Sequence, residues 1–73
     1  MYRILIVEDD AGIAEAVSEQ AKMWNFETHS VTNFRNVMAE FAEFDPHLVL
    51  MDIGLPFFNG YYWCGEIRKV SRV

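Results

Sequence analysis

The chain has 73 residues, 52% of them hydrophobic and 23% charged, a balance that predicts one packed unit rather than a disordered segment. The formal net charge is -5 at pH 7, and the six lysines and arginines are scattered apart from a small group at Arg68, Lys69 and Arg72. This pattern excludes the clustered positive surface of a nucleic-acid-binding module. The single cysteine excludes an intrachain disulfide, and no apolar run is long enough to span a membrane, so we expect the cytoplasm as the compartment.

The first half of the chain predicts a strand, a helix and a second strand. The apolar run at residues 4–7 indicates a strand buried on both faces. A helix is predicted over residues 11–24, with Asp10 as its cap and Asn25 at its end. Its apolar residues at helical spacing are Ile13, Ala16, Val17, Ala21 and Trp24. Residues 26–31 predict a shorter, more polar strand, which is typical of a sheet edge.

A second helix is predicted after this strand, with Thr32 or Asn33 as its cap. It carries an apolar stripe at i, i+3, i+4 and i+7 spacing, formed by Phe34, Val37, Met38 and Phe41. The pair Asp45-Pro46 ends the helix, because the residue before a proline is disfavoured in helical conformation.

A third strand and a third helix complete the pattern. Residues 47–51 are apolar and end at Asp52, and a loop with two glycines and a proline follows. Asn59 is placed to cap a helix that runs from about Gly60 to the end of the chain. The expected apolar face of this helix consists of Tyr61, Cys64, Ile67 and Val70.

The alternation of strands and helices predicts an α/β fold with a parallel sheet. Right-handed crossovers place helices on both faces of the sheet if the chain reverses direction once, which gives strand order 2-1-3. In that order the carboxyl ends of strands 1 and 3 are neighbours. Open α/β sheets bind ligands at this kind of reversal point.

Acidic residues follow both of these strands: Glu8, Asp9 and Asp10 after the first, and Asp52 after the third. Converging carboxylates repel one another unless a cation lies between them. Mg²⁺ prefers oxygen ligands and binds few protein carboxylates at a time. The pattern therefore predicts a Mg²⁺ site formed by Glu8, Asp9 and Asp52, whereas Asp10 is better explained as a helix cap.

The motifs resemble a known family. Two segments are similar to the receiver domains of bacterial two-component response regulators. They are residues 4–10 (Ile-Leu-Ile-Val-Glu-Asp-Asp) and residues 48–56 (Leu-Val-Leu-Met-Asp-Ile-Gly-Leu-Pro), the second followed by Asn59-Gly60. The similarity covers the whole chain and is greatest to regulators with a winged-helix DNA-binding domain. It implies a flavodoxin-like, CheY-like fold with three layers around a parallel sheet.

The resemblance also implies a role for each acid. Asp52 would accept a phosphoryl group from a sensor histidine kinase. Asp9 would bind Mg²⁺ directly, Glu8 would bind it through water, and the main-chain carbonyl of Gly54 would be a further ligand. Such a domain is a signalling module rather than an enzyme, with self-catalysed phosphoryl transfer at most.

Family members have five strands, so we expect residues 1–73 to form a partial receiver that lacks β4-α4-β5-α5 and any effector domain. Control of DNA binding and transcription would then belong to the absent effector domain. We expect the fragment to be inactive or to form homodimers through the open, apolar edge of strand 3, because unpaired strand edges invite pairing with another chain.

Two other functions remain open. A Mg²⁺-dependent phosphotransferase or nuclease would place acids at similar strand ends, but such folds commonly need an Asp-x-Asp pair, and Gly54 stands where the second acid would be. A pseudo-receiver would keep the fold without the chemistry. His29 and His47 lack a second ligand at metal spacing and are interpreted as packing residues.

Overall fold

Strands and helices alternate along the whole chain, and the computed structural model describes every residue from Met1 to Val73. The elements are β1 Arg3–Val7, α1 Ala11–Met23, β2 Glu27–Ser30, α2 Val37–Phe44, β3 Leu48–Met51 and α3 Gly60–Val70. The strands form one parallel sheet in the order β2-β1-β3. The predicted α/β fold and strand order are both confirmed.

The central strand β1 divides the core into two clusters, because its side chains alternate between the faces of the sheet. Leu5 and Val7 are fully buried on the face that α2 and α3 cover, together with Val31, Val37, Phe41, Trp63 and Ile67. Ile4 and Ile6 point to the opposite face and pack against Ala14 and Ala21 of α1. The molecule therefore has three layers, with helices on both faces of the sheet.

The predicted start of α2 is wrong. The helix begins at Val37 and is capped by Asn36, whose side chain accepts the N–H of Ala39 at 3.2 Å. Thr32 and Asn33 instead donate their main-chain N–H groups to the carboxylate of Glu40. These bonds hold the preceding segment as a loop, although the predicted apolar stripe does pack against the core.

The apolar faces of α1 and α3 also differ from the prediction. In α3 the buried residues are Gly60, Trp63 and Ile67, whereas Tyr61, Cys64 and Val70 are exposed. In α1 the buried residues are Ala14 and Ala21, whereas Ile13 and Trp24 are exposed. Trp63 offers more apolar surface than Cys64, so its burial sets the rotation of α3.

The predicted caps Asp10 and Asn59 are confirmed, since each side chain accepts an N–H group of its helix. Asn25 follows α1 with a φ of 64°, the left-handed conformation that commonly ends helices. The polar strand β2 lies at an edge of the sheet, as predicted. No helix has both the length and the apolar character that crossing a bilayer requires.

Candidate metal centre

Three carboxylates converge at the carboxyl edge of the sheet. Glu8 and Asp9 follow β1, and Asp52 follows β3, its neighbour in the sheet. Each of the three offers one oxygen, and these oxygens all lie within 4.8 Å of one another. The pairing that aligns the two strands continues to the site, because the N–H of Asp52 donates to the carbonyl of Val7 at 2.9 Å.

The like charges of this cluster change the titration of Glu8. The N–H of Asp10 donates to Glu8 Oε2 at 3.1 Å and lowers the pKa of Glu8. Desolvation and the nearby carboxylates of Asp52 and Asp9 outweigh that bond, so the pKa of Glu8 is raised above 4.5. The cluster therefore contains negative charge that no protein cation neutralises by direct contact.

Oxygen donors with excess negative charge suit a hard divalent cation. Glu8 and Asp52 are half-buried and Asp9 is exposed, so the donors lie where a hydrated ion can reach them. This donor set fits Mg²⁺, which keeps several of its waters when protein carboxylates bind it. Asp10 takes no part, because its carboxylate caps α1 by accepting the N–H of Ile13 at 3.1 Å.

The loop between β3 and α3 fixes the position of Asp52. The N–H of Gly54 donates to Asp52 Oδ1 at 3.3 Å. Gly60 is the first residue of α3 and lies directly against the main chain of Asp52. A Cβ added at Gly60 would lie only 2.2 Å from the carbonyl oxygen of Asp52. No other residue fits there without moving Asp52. The sequence shows this glycine, but the close approach depends on tertiary packing.

Aromatic side chains surround the same loop. Phe58 stacks on Tyr62 with ring centres 4.5 Å apart, and Trp63 packs edge-on against both rings. Phe57 is 63% exposed, and the guanidinium of Arg35 lies 4.3 Å from the centre of its ring. Sequence reasoning missed Arg35 and Phe57, because their contact joins two loops that follow different strands.

The two histidines lie outside the acidic cluster. His29 Nε2 is 2.7 Å from Glu40 Oε1. His47 Nδ1 accepts the N–H of Arg3 at 2.8 Å, and its ring stacks on Tyr2. Both side chains therefore have structural partners, as the sequence interpretation expected.

A family model supplies the identification once this geometry is known. The model of the response regulator receiver domain matches residues 4–73. This chain belongs to that family. As a receiver domain of two-component response regulators, it is similar in fold and sequence to other regulators.

Several curated relatives are regulators. The chain is 46% identical over 72 residues to the uncharacterized transcriptional regulatory protein YvcP of Bacillus subtilis, covering 99% of this chain and 30% of YvcP. It is 38% identical over 73 residues to the sensory transduction protein BceR of Halalkalibacterium halodurans, covering 100% of this chain and 32% of BceR. The chain thus spans about a third of the length of these relatives.

Solved structures agree with the receiver fold. The N-terminal domain of the nisin resistance regulator NsrR, a lantibiotic response regulator, superimposes with a TM-score of 0.91 at 42% identity, covering 100% of this chain and 62% of that one. The regulator TrrA of Thermotoga maritima, in complex with Mg²⁺ and BeF, gives a TM-score of 0.87 at 33% identity, covering 94% of this chain and 60% of that one. TrrA in complex with the histidine kinase ThkA gives a TM-score of 0.88 at 32% identity, covering 99% of this chain and 62% of that one.

Proposed function

We propose that this receiver domain accepts a phosphoryl group from a sensor histidine kinase on the side chain of Asp52. Glu8, Asp9, Asp52 and the main-chain carbonyl of Gly54 would bind the Mg²⁺ that the reaction needs. The observation that carries the proposal is the convergence of the three carboxylate oxygens within 4.8 Å. The complexes of the neighbour TrrA with Mg²⁺ and BeF and with a histidine kinase support it.

The transfer exchanges one bond to phosphorus for another. A carboxylate oxygen of Asp52 forms an O–P bond while the P–N bond of the phosphohistidine breaks, and the imidazole nitrogen keeps that electron pair and takes a proton. The N–H of Gly54 binds Oδ1 of Asp52 and orients the carboxylate. Bound Mg²⁺ would supply neutralisation of the charge on the phosphoryl oxygens.

The proposal also covers the control of transcription, the signalling role and the cellular location. The curated relatives have transcriptional or sensory regulatory names, so we assign control of DNA binding and transcription to the full-length regulator, outside these 73 residues. We propose a signalling role without turnover of a separate substrate. A cytoplasmic location fits the free thiol of Cys64, because unpaired thiols persist in reducing compartments.

The test of the acceptor is Asp52→Asn in the regulator that contains this receiver, incubated with its kinase and labelled ATP. We expect labelling to be lost, because the amide is a poor nucleophile toward phosphorus. Asp10→Asn is the matched control, since asparagine caps helices as well as aspartate does and labelling should persist. Full labelling of the Asp52→Asn variant would disprove the assignment.

We also propose that the 73-residue chain self-associates through β3. This strand lies at an edge of the sheet, and its Leu48 and Leu50 are each 40% exposed. Apolar edge strands pair with other chains, and a charged residue blocks such pairing. In sedimentation across a dilution series, Leu50→Lys should shift the chain toward monomer, whereas Ser30→Lys on the polar edge β2 should not. A wild-type chain that stays monomeric at every concentration would contradict this.

A further inference from the structure

Phe57, in the loop after Asp52, has a backbone conformation that residues with side chains rarely adopt. Its φ is 67°, and it is the central residue of a three-residue turn closed by the Phe58 N–H and the Pro56 carbonyl at 2.8 Å. Such turns are strained for a residue with a Cβ. A strained turn persists only where neighbouring groups hold it in place.

The group that holds Phe57 is the guanidinium of Arg35, 4.3 Å from the ring centre. The neighbouring Phe58 stacks on Tyr62 and packs edge-on against Trp63, whereas no aromatic ring packs against Phe57. A cation above a ring face is attracted by the negative face of the π system. The contact with Arg35 is therefore a side-chain restraint on this turn.

Arg35 itself stands on an ordered loop. Its main-chain N–H donates to the side chain of Asn33 at 3.0 Å, and the N–H of Asn33 donates to Glu40 Oε2 at 2.9 Å. The same Glu40 carboxylate accepts the N–H of Thr32 and contacts His29. Hydrogen bonds thus connect α2 to the backbone that presents the guanidinium to Phe57.

The contact joins the loops that follow β2 and β3, the two strands on either side of β1. Arg35 is also the single basic residue in the three loops at the carboxyl edge of the sheet, residues 8–10, 31–36 and 52–59. Its charge nevertheless lies against an aromatic ring rather than in an ion pair with Glu8, Asp9 or Asp52. This placement favours a role in holding the loop.

We infer that Arg35 is a positioning residue for the acceptor site: its contact with Phe57 holds the β3–α3 loop in the conformation that presents Asp52 and Gly54 to Glu8 and Asp9. The contact acts through the loop and not by touching the acids. The inference rests on the proposed function only for its Mg²⁺ measurement, and a separate measurement on the loop needs no metal.

The first test is amide hydrogen exchange by NMR on the 73-residue chain without Mg²⁺. Arg35→Ala should accelerate exchange at Phe58 about two- to fivefold, the factor that an exposed cation–π pair supplies. Arg35→Lys should restore much of the protection, because an ammonium group also binds the ring face. The amide of Leu5 in β1 should exchange as in the wild type. Unchanged exchange at Phe58 in Arg35→Ala would overturn the inference.

The second test is Mg²⁺ titration followed by tryptophan fluorescence, and here two explanations predict opposite signs. Loss of a positive charge near the acids should tighten Mg²⁺ binding by electrostatics alone. Loss of a positioning contact should weaken it, and we expect about two- to fivefold weaker binding for Arg35→Ala. Lys22→Ala is the matched control, because Lys22 shares a surface cavity with Glu8 and Asp9, and it should not weaken binding. Tighter binding by Arg35→Ala would contradict the positioning role.

A rescue variant separates positioning from general destabilisation. Glycine adopts a positive φ without strain, so Phe57→Gly removes the need for a restraint. In the Phe57→Gly background, Arg35→Ala should cause no further loss of Mg²⁺ affinity, whereas independent effects would add. Additive losses would count against the inference. Failure of the wild type to bind Mg²⁺ would refute the proposed function, and the exchange at Phe58 would still decide the role of Arg35.

Discussion

Glu40 and Glu8 are both half-buried glutamates near the carboxyl edge of one sheet, but their surroundings are opposite. Desolvation raises the pKa of Glu40, yet the N–H groups of Asn33 and Thr32 and the ring of His29 outweigh it, so its pKa lies below 4.5. Glu8 has one N–H partner and two carboxylate neighbours, and its pKa lies above 4.5. Hydrogen-bond donors of the fold surround the carboxylate of Glu40, whereas the carboxylate of Glu8 lies beside other carboxylates.

This difference separates an acid with a structural role from one that we propose binds a metal ion. A carboxylate surrounded by donors contributes to stability and needs nothing further. A carboxylate held beside other carboxylates costs stability, and such a cost is typical of a site that binds a ligand. The comparison predicts that removing the charge of Glu40 lowers stability, whereas removing the charge of Glu8 raises it.

The largest effect is expected from Glu40→Gln. The substitution keeps the shape of the side chain but removes the negative charge of the carboxylate that accepts hydrogen bonds from the N–H groups of Thr32 and Asn33. We therefore expect a loss of about 2 kcal/mol of unfolding free energy. Urea unfolding at pH 7 measures it. Glu43→Gln, on the exposed side of the same helix, is the control and should change stability little. Equal midpoints for the two variants would show that the Glu40 contacts contribute nothing.

The pH dependence of Glu40→Gln gives a second check. Because the folded pKa of Glu40 is below its ordinary 4.5, its stabilisation is complete above pH 4.5 and disappears as pH falls through the folded pKa. The difference between wild type and variant should therefore be present at pH 7 and shrink as the pH falls through the folded pKa of Glu40. A difference that stays constant into strong acid would assign the effect to packing.

The next effect is on metal affinity. Glu8→Gln should weaken Mg²⁺ binding by about tenfold, the loss typical when a group that supports a metal site is removed. Calorimetric titration measures it, with Glu15→Gln on the exposed surface of α1 as the control. Wild-type affinity in Glu8→Gln would place Glu8 outside the metal site.

Much of this comparison could be predicted from the sequence, because it depends on strand order. Apolar runs that end in acids, combined with parallel strands, place Glu8, Asp9 and Asp52 at the same edge of the sheet. The caps Asp10 and Asn59 were also predictable, since a cap depends on residues within the next turn.

The features that could not be predicted from the sequence depend on contacts between segments that are distant along the chain. The start of α2 was predicted too early, because Glu40 reaches back to bind the amides of the loop. The face of α3 was misjudged because consecutive aromatic residues fit the helical period in more than one rotation. Trp63 takes the core position, where its Nε1 has no hydrogen-bond partner. No local pattern indicated the contact between Arg35 and Phe57.

The smallest expected effect is the stability change of Glu8→Gln without metal, and its sign completes the comparison. The folded pKa of Glu8 is raised, so its favourable contribution is present below pH 4.5 and is lost as pH rises through the folded value. In EDTA at pH 7 the variant should therefore unfold at a higher urea concentration than the wild type, and the two midpoints should converge in acid. A variant less stable than the wild type at pH 7 would mean that the bond from the Asp10 N–H outweighs the repulsion by Asp9 and Asp52.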